Sequence, residues 1–430
     1  MGPRESDAGV DGQTPMGKTP GLSTVDRRSF LRWTSAIGAG AVLSGCKQSP
    51  NSAPPAPTSQ PATAATPPVS DLVRFPEKTE LILLTERPPQ LETPIQYFRE
   101  DLTPNEAMFV RWHLAGIPVS VDTKTFRLTV KGHVGQELSL SLDDLRQQFE
   151  PVSTIAVNQC SGNSRSLFEP RVPGGQWANG AMGNALWTGV RLKDVFEKAN
   201  VKDNPLEVSF RGLDTPVLPT TPAFVKTLAF ERANDGEVMI AYEMNNRPLP
   251  MLNGFPIRLI VPGWYATYWV KALSEINVLA EPFKGFWMDK AYRVPVTPDF
   301  NESPDHLAEK TTPITWMTIR SILVRPEIGD RLKLNEPYEI EGVAMDSGKG
   351  ITKVEVSTDS GKTWADARLD PELGKYSWRR FRFTWTPAAK GAFQVMSRAT
   401  NAASETQVTE QWNRSGYARN VIDAVDVTVA

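Results

Sequence analysis

Cysteine and histidine are the scarce residues of this chain. Two cysteines, Cys46 and Cys160, and three histidines stand among 430 residues. Covalent haem attachment through C-x-x-C-H needs two neighbouring cysteines, and iron–sulfur clusters need several, so neither is expected. A bis-histidine haem would consume two of His113, His133 and His306. A structural zinc ion wants three or four protein ligands, which this composition hardly supplies. Strong charge of one sign is missing as well. The 47 basic and 49 acidic side chains leave a net charge of −2, with no Lys/Arg block, so no nucleic-acid surface is expected. The apolar stretch from Trp33 to Gly45 is too short for a spanning helix, which needs about 20 apolar residues.

That stretch has a different meaning. Arg27 and Arg28 precede Phe30 and Leu31, then come the apolar segment and a small-residue end, the order of an export signal. The arginine pair resembles a twin-arginine signal, the route taken by proteins exported already folded around a cofactor. "LSGC" resembles a bacterial lipobox, so Cys46 is expected to be lipidated and to anchor an exported, periplasmic protein at a membrane. Residues 1–46 are thus read as the signal. Cys160 is then the only thiol left, and an internal disulfide is ruled out in a compartment that would permit one. Residues 47–71 read as a disordered tether: between 47 and 70 there are seven prolines, no aromatic residue and one charge.

Order is expected from about Leu72. "FRLTVKGHV" alternates like a strand, and "LSLDDLRQQF" has helical spacing behind a Ser141 N-cap. "FPIRLIVPG" reads as a buried strand. After Pro313 the texture changes to short alternating strands, "YEIEGVAMD", "ITKVEVSTD", "RRFRFTWTP" and "GAFQVMSRATNA", with Asp-Ser-Gly supplying a hairpin loop. The expected fold is α+β: a mixed catalytic domain over 72–313, then an all-β, immunoglobulin-like sandwich over 314–430.

Several segments put polar groups where a plain core would not want them. "FVRWH" carries Arg111 and His113 two apart, on one face of an extended chain. "VNQCSGNSR" carries Cys160 and Arg165, "RGLDTP" carries Asp214, and "NGFPIRLIVPGWYATYWVK" carries Arg258 and Lys271. "DKAYR" adds Tyr292. A lone cysteine is most often a small buried apolar residue, and a lone arginine a surface ion-pair partner. Together the groups suit an anionic ligand, because guanidinium forks donate in parallel to two oxygens. Guanidinium groups close to a thiol also favour the thiolate, the form that binds soft metals.

These motifs in this order resemble the sulfite oxidase family of molybdenum enzymes, most of all its bacterial haem-free sulfite dehydrogenase subunits, over roughly residues 75–430. The resemblance implies a molybdenum–molybdopterin cofactor and no haem in this chain. Cys160 would be the protein ligand of the metal. Arg111 and Arg165 would frame an oxyanion pocket walled by Trp177, with Tyr292 as the active-site tyrosine. Phe109, Val110, Arg111, Trp112, His113, Asp214, Arg258, Trp269, Val270 and Lys271 fall on segments that hold the pterin and its phosphate. Asn253 stands where many members have histidine, so that contact is changed or lost. Arg414 in "QWNRSGY" is one position early for a third pocket arginine.

The implied reaction is oxidation of sulfite to sulfate, with electrons passed to an external c-type cytochrome. The sandwich domain implies a homodimer. A sulfane dehydrogenase subunit and a molybdopterin sulfoxide reductase are the rival readings inside the resemblance. A Cys160–His113 hydrolase lacks an orienting third group, and a non-enzymatic binding lipoprotein leaves the clustered Arg, Cys and Tyr without a purpose.

Overall fold

The computed structural model describes residues 72–430. The signal and tether readings for residues 1–71 lie outside the described residues. Among those described, no helix is long and apolar enough to cross a membrane.

Ser141 caps the helix Leu142–Gln147 through a capping box. Its hydroxyl accepts from the Asp144 amide at 3.0 Å, and the Asp144 carboxylate accepts from the Ser141 amide at 2.8 Å. Two of the helix's otherwise orphaned donors are satisfied in this way. "FRLTVKGHV" contributes the strand Leu128–Gly132, and its partner Leu138–Leu140 leads into that helix. They belong to a five-stranded sheet in which Leu273–Leu279 runs parallel to Leu128–Gly132.

A second sheet carries the chemistry. Its long strands Pro151–Gln159 and Met182–Arg191 pair antiparallel along their length, and Met239–Met244 pairs with the latter. Arg258–Ile260, the expected buried strand, pairs with Met239–Met244 and is buried at all three positions. Cys160 follows the end of Pro151–Gln159, so the loop that bears it leaves from a strand fixed on one side. A smaller sheet brings Val110–Arg111 beside Gln90–Glu92.

The β-rich part is a sandwich of a four-stranded and a five-stranded sheet, beginning at Arg320–Arg325. The expected strands appear as Tyr338–Met345, Ile351–Ser357, Arg379–Trp385 and Gly391–Asn401. The segment before it, Thr311–Pro313, pairs back onto Arg293–Pro295. The two parts share apolar packing: Met317, Ile322, Val343, Tyr376, Trp378 and Ala418 join the same buried cluster as Cys160. Tyr376 also accepts the Val157 amide at 2.9 Å, so the sandwich braces the strand that leads to Cys160.

Candidate active site

The Cys160 loop is held from both sides. The Cys160 amide donates to the Ala181 carbonyl at 2.9 Å, and the Ala418 amide of the sandwich donates to the Ser161 carbonyl at 3.1 Å. Cys160 is a free thiol, 8% exposed. It opens into a cleft enclosing about 380 Å³, part of it open to solvent, which Phe109, Arg111, His113, Asn158, Cys160 and Ser161 line from one direction. Arg258, Ala266, Thr267, Lys271 and Tyr292 complete the lining. A larger cavity, between residues 96–100 and the sandwich, carries none of these groups, and its Arg99 and Arg380 are already ion-paired.

Cations dominate the surroundings. Burial lowers the Lys271 ammonium to about 7, with Arg258 beside it adding repulsion against Asp214's attraction. Lys271 sits over the Trp112 ring at 4.9 Å. Burial alone brings Arg258 down to about 9; it donates to the carbonyls of Asn253 and Trp269 at 3.0 and 3.2 Å. Burial likewise takes Lys78 and Lys226 to about 7. The hydrogen bonds of these cations go to carbonyls and one amide side chain; Asp214 attracts Lys271, and Glu106 and Glu77 attract Lys78, but none of these pairs closes a salt bridge. Burying a cation without an anion is costly, so the arrangement is completed by an anionic partner.

Tyr292 is the other conspicuous group. Its φ of 57° is a left-handed conformation that a bulky aromatic residue adopts only under tertiary constraint. Its hydroxyl shares a hydrogen bond with His113 Nε2. Burial raises the Tyr292 hydroxyl above the ordinary tyrosine range, so it keeps its proton at neutral pH. Burial, reinforced by Arg111, Lys271 and Lys226, holds His113 well below its ordinary value and therefore neutral. The imidazole is stacked on Phe224 at 3.7 Å.

The expected residues divide. Phe109, Arg111, His113, Cys160, Arg258, Lys271 and Tyr292 meet at the cleft. Val110, Trp112, Trp269 and Val270 are core residues behind it, with the Trp269 indole donating to the Trp264 carbonyl at 3.0 Å. Asp214 is buried behind Lys271, and its carboxyl is raised by that burial. Asn253 does not line the cleft: it accepts from Lys78 and donates to the Phe109 carbonyl at 3.0 Å. Trp177 packs edge-on to Phe109 at 6.4 Å, and Arg165 lies deeper, donating to the Gly175 and Ser415 carbonyls at 3.1 Å each. Arg414 is no pocket arginine. It is pinned to Glu302 at 2.5 Å and to the Ala308 carbonyl at 2.7 Å, and Ser415 and Tyr417 of its loop face Arg165 instead.

Lys78, Asn158, Ser161, Thr267, Lys226 and Tyr417 were not anticipated. Thr267 carried a faint signal, a hydroxyl inside an otherwise apolar "WYATYW". Lys78 and Lys226 carried none, since a lysine in sequence reads as surface.

The unsatisfied polar atoms test what fits. Asn158 Nδ2, Ser161 Oγ, Arg258 Nε and Thr267 Oγ1 are buried without a hydrogen-bond partner, and all four residues line the cleft. Native interiors leave few such atoms unpaired, so together they mark a polar ligand. Among the described residues no group of three or more His, Cys, Asp and Glu could hold a metal ion by itself. A metal on Cys160 must therefore arrive with ligands of its own. An anionic, acceptor-rich cofactor that brings metal, sulfur ligands and phosphate fits this donor set.

Residues 114–287 match the oxidoreductase molybdopterin binding domain, and residues 311–430 match the Mo-co oxidoreductase dimerisation domain. Mitochondrial sulfite oxidase of Rattus norvegicus is 33% identical over 394 residues, covering 86% of this chain and 69% of the relative. Sulfite oxidase of Gallus gallus is 31% identical over 389 residues, covering 86% and 80%. The crystal structure of the sulfane dehydrogenase SoxCD from Paracoccus pantotrophus shares the fold, with a TM-score of 0.68 at 24% identity, over 79% of this chain and 85% of that one.

Proposed function

The chain belongs to the sulfite oxidase family of molybdopterin oxidoreductases, and on that premise we propose that it oxidises sulfite to sulfate at the Cys160 cleft. The observation that carries the reading is the convergence of Arg111, Arg258, Lys271 and four unsatisfied polar atoms on a single thiol.

When bound, the molybdenum–molybdopterin group supplies the two-electron redox chemistry of the sulfur centre. Cys160 is the side chain that would hold the metal. Arg258 and Lys271, which close no salt bridge among the described residues, would hold the phosphate, and Asn158, Ser161 and Thr267 the polar atoms of the pterin. Val110, Trp112, Trp269, Val270 and Asp214 would shape that bed from behind, and Asn253 would act on it only through Lys78 and Phe109. Arg111 reaches the cleft and would receive sulfite, while Arg165 adds its charge from beneath. Placing fixed donors where the oxyanion sits is an electrostatic and positioning contribution. The Tyr292 hydroxyl, kept protonated, offers a hydrogen bond beside the thiol, and neutral His113 holds its orientation.

Sulfite and water give sulfate, two protons and two electrons, so an acceptor is required. An external c-type cytochrome is proposed for that role, on a homodimer joined through its sandwich domains. A location on the periplasmic side of a membrane is proposed from the export and lipid-anchor readings of Arg27, Arg28 and Cys46.

The test is elemental analysis for molybdenum on protein made with its signal intact, followed by sulfite-dependent reduction of ferricyanide and of cytochrome c. About one molybdenum per chain and rapid sulfite turnover are expected. Cys160→Ser should lower turnover by roughly a thousandfold or more while the thermal midpoint stays within a few degrees. A metal-free protein of normal stability, or a Cys160→Ser variant of ordinary activity, would overturn the proposal.

A further inference from the structure

The sandwich part delivers one aromatic ring into the catalytic part. Tyr417 lies parallel to Tyr292, with ring centroids 5.5 Å apart and planes 4° apart. The Arg165 guanidinium carbon sits 4.9 Å from the Tyr417 ring centroid. The same ring therefore touches both the tyrosine beside the thiol and the deeper arginine.

The loop that carries Tyr417 is built to hold still. Asn413 is fully buried and clamps it, donating to the Tyr417 carbonyl at 3.0 Å and accepting the Tyr417 amide at 3.1 Å. Ser415 Oγ donates to the Arg293 carbonyl at 2.8 Å, next in sequence to Tyr292. Ala418 is tied to Ser161, one residue from Cys160.

Arg165 is confined just as closely. A Cβ on Gly162 would come within 2.6 Å of its guanidinium, and one on Gly174 within 2.8 Å. A Cβ on Gly416, at a φ of 58°, would meet Arg165 Nε at 2.8 Å. Three glycines and one ring thus form a sleeve around one guanidinium. Arg165 Nε within that sleeve has no hydrogen-bond partner. Its two terminal nitrogens are held by carbonyls, so the guanidinium is fixed in place while its charge meets no carboxylate in a salt bridge.

We propose that Tyr417 is a positioning residue for sulfite. Its ring fixes the mutual orientation of Arg165 and Tyr292, and so sets the affinity of the cleft for the sulfur oxyanion. The inference rests on the sulfite-oxidising reading above and deepens it. The sandwich is then a component of the substrate pocket as well as a dimerisation domain. Where the resemblance led to the expectation of a third arginine, the chain uses an aromatic face that holds an existing one. The ring makes the stacking contact with Tyr292 and the cation–π contact with Arg165, and Arg165 also interacts with the hydroxyl, so the Phe and Leu variants separate the two contributions.

The experiment compares wild type, Tyr417→Phe, Tyr417→Leu, Tyr292→Phe and the Tyr292→Phe/Tyr417→Leu double variant, all as molybdenum-loaded full-length protein. With ferricyanide as acceptor, Tyr417→Leu should raise the sulfite KM about tenfold, with kcat changed less than about threefold and molybdenum content unchanged. Tyr417→Phe should stay within about twofold of wild type, which a role for the hydroxyl would not allow. Near-ultraviolet circular dichroism gives a readout independent of turnover. Tyr417→Leu and Tyr292→Phe should each change one shared tyrosine band, and the double variant should change it no further than the Tyr417→Leu single. A Tyr417→Leu KM within twofold of wild type, an equal loss of kcat and kcat/KM, or strictly additive dichroism would overturn the inference. If wild type carries molybdenum but does not turn over sulfite, the functional reading fails, and the dichroism and sulfate affinity of the same variants decide the role of Tyr417. Equal sulfate affinity in Tyr417→Leu and wild type then overturns it, and a roughly tenfold loss upholds it.

Discussion

Two sets of buried cations in this protein are treated in opposite ways. At the domain junction, Arg232 is ion-paired with Asp235 and Glu237, donates to the Pro262 carbonyl at 2.6 Å and lies between the rings of Trp264 and Trp316. The exposed Arg414 is likewise paired, with Glu302. At the cleft, Arg258 and Lys271 have rings and carbonyls, and burial lowers both below their ordinary values. The junction cation has carboxylate partners in salt-bridge contact. The cleft cations close no salt bridge among the described residues, although Asp214 attracts Lys271. A buried cation without a salt bridge, at a cleft lined by unsatisfied polar atoms, is a sign of function, with its physical cost in plain view.

Lys271→Met should give the largest effect and separate the two sets by what is lost. Molybdenum content of the purified enzyme should fall tenfold or more, with sulfite turnover falling in proportion. The metal-free form should change by less than about 1 kcal/mol against urea, because removing a desolvated cation is offset by leaving buried Asp214 without the charge that attracts it. Loss of stability together with retained molybdenum would erase the distinction.

The same change at the junction should do the reverse. Arg232→Met should cost about 2 kcal/mol, since it leaves the Asp235 carboxylate without its cation and the Pro262 carbonyl without its donor, while Glu237 keeps Lys375 and Tyr376. Activity per bound molybdenum should be unaltered, as measured by single-turnover reduction with sulfite.

A buried anion sharpens the contrast with a smaller effect. The Glu92 carboxylate accepts the amides of Ala178 and Gly180 at 3.0 and 2.7 Å, just after Trp177, and burial raises it to about 7. Its folded value lies above its unfolded one, so the folded state binds more protons between pH 4.5 and 7. That contribution is complete below the unfolded value and is lost as pH rises through about 7. Between pH 5 and 7 the loss should be about 2 kcal/mol, and Glu92→Gln should flatten that segment of the stability profile. An unchanged slope in equilibrium unfolding would show that hydrogen bonds from two amides are enough to hold the carboxylate ionised.

Legibility in the sequence followed locality. The Ser141 capping box, the hairpin at Asp359 to Gly361 and the alternating strands after Pro313 are short-range patterns, and the fold shows each of them. Arg111 and His113 were placed on one face by a two-residue spacing and both reach the cleft. Arg165 is five positions from Cys160, yet its surroundings come from Gly174, Ser415, Gly416 and Tyr417, hundreds of residues away in part. Nothing local distinguishes Tyr417 from a surface tyrosine, or Lys78 from a surface lysine. Trp177 and Asn253 are near the site, but packing against Phe109 and a bond to Lys78 decide what each can touch.

By itself, the sequence determined which chemistry was available: one thiol beyond Cys46, few histidines, and arginines and a tyrosine in motifs that resemble those of the sulfite oxidase family. Those are matters of composition and short spacing, which need no fold to be read. Which cations would remain without a salt bridge was decided only by the tertiary structure. So was the choice of ring that would stand between Arg165 and Tyr292. Burial and pairing are properties of neighbours brought together from Lys78 to Tyr417, and a linear chain has no burial until it folds.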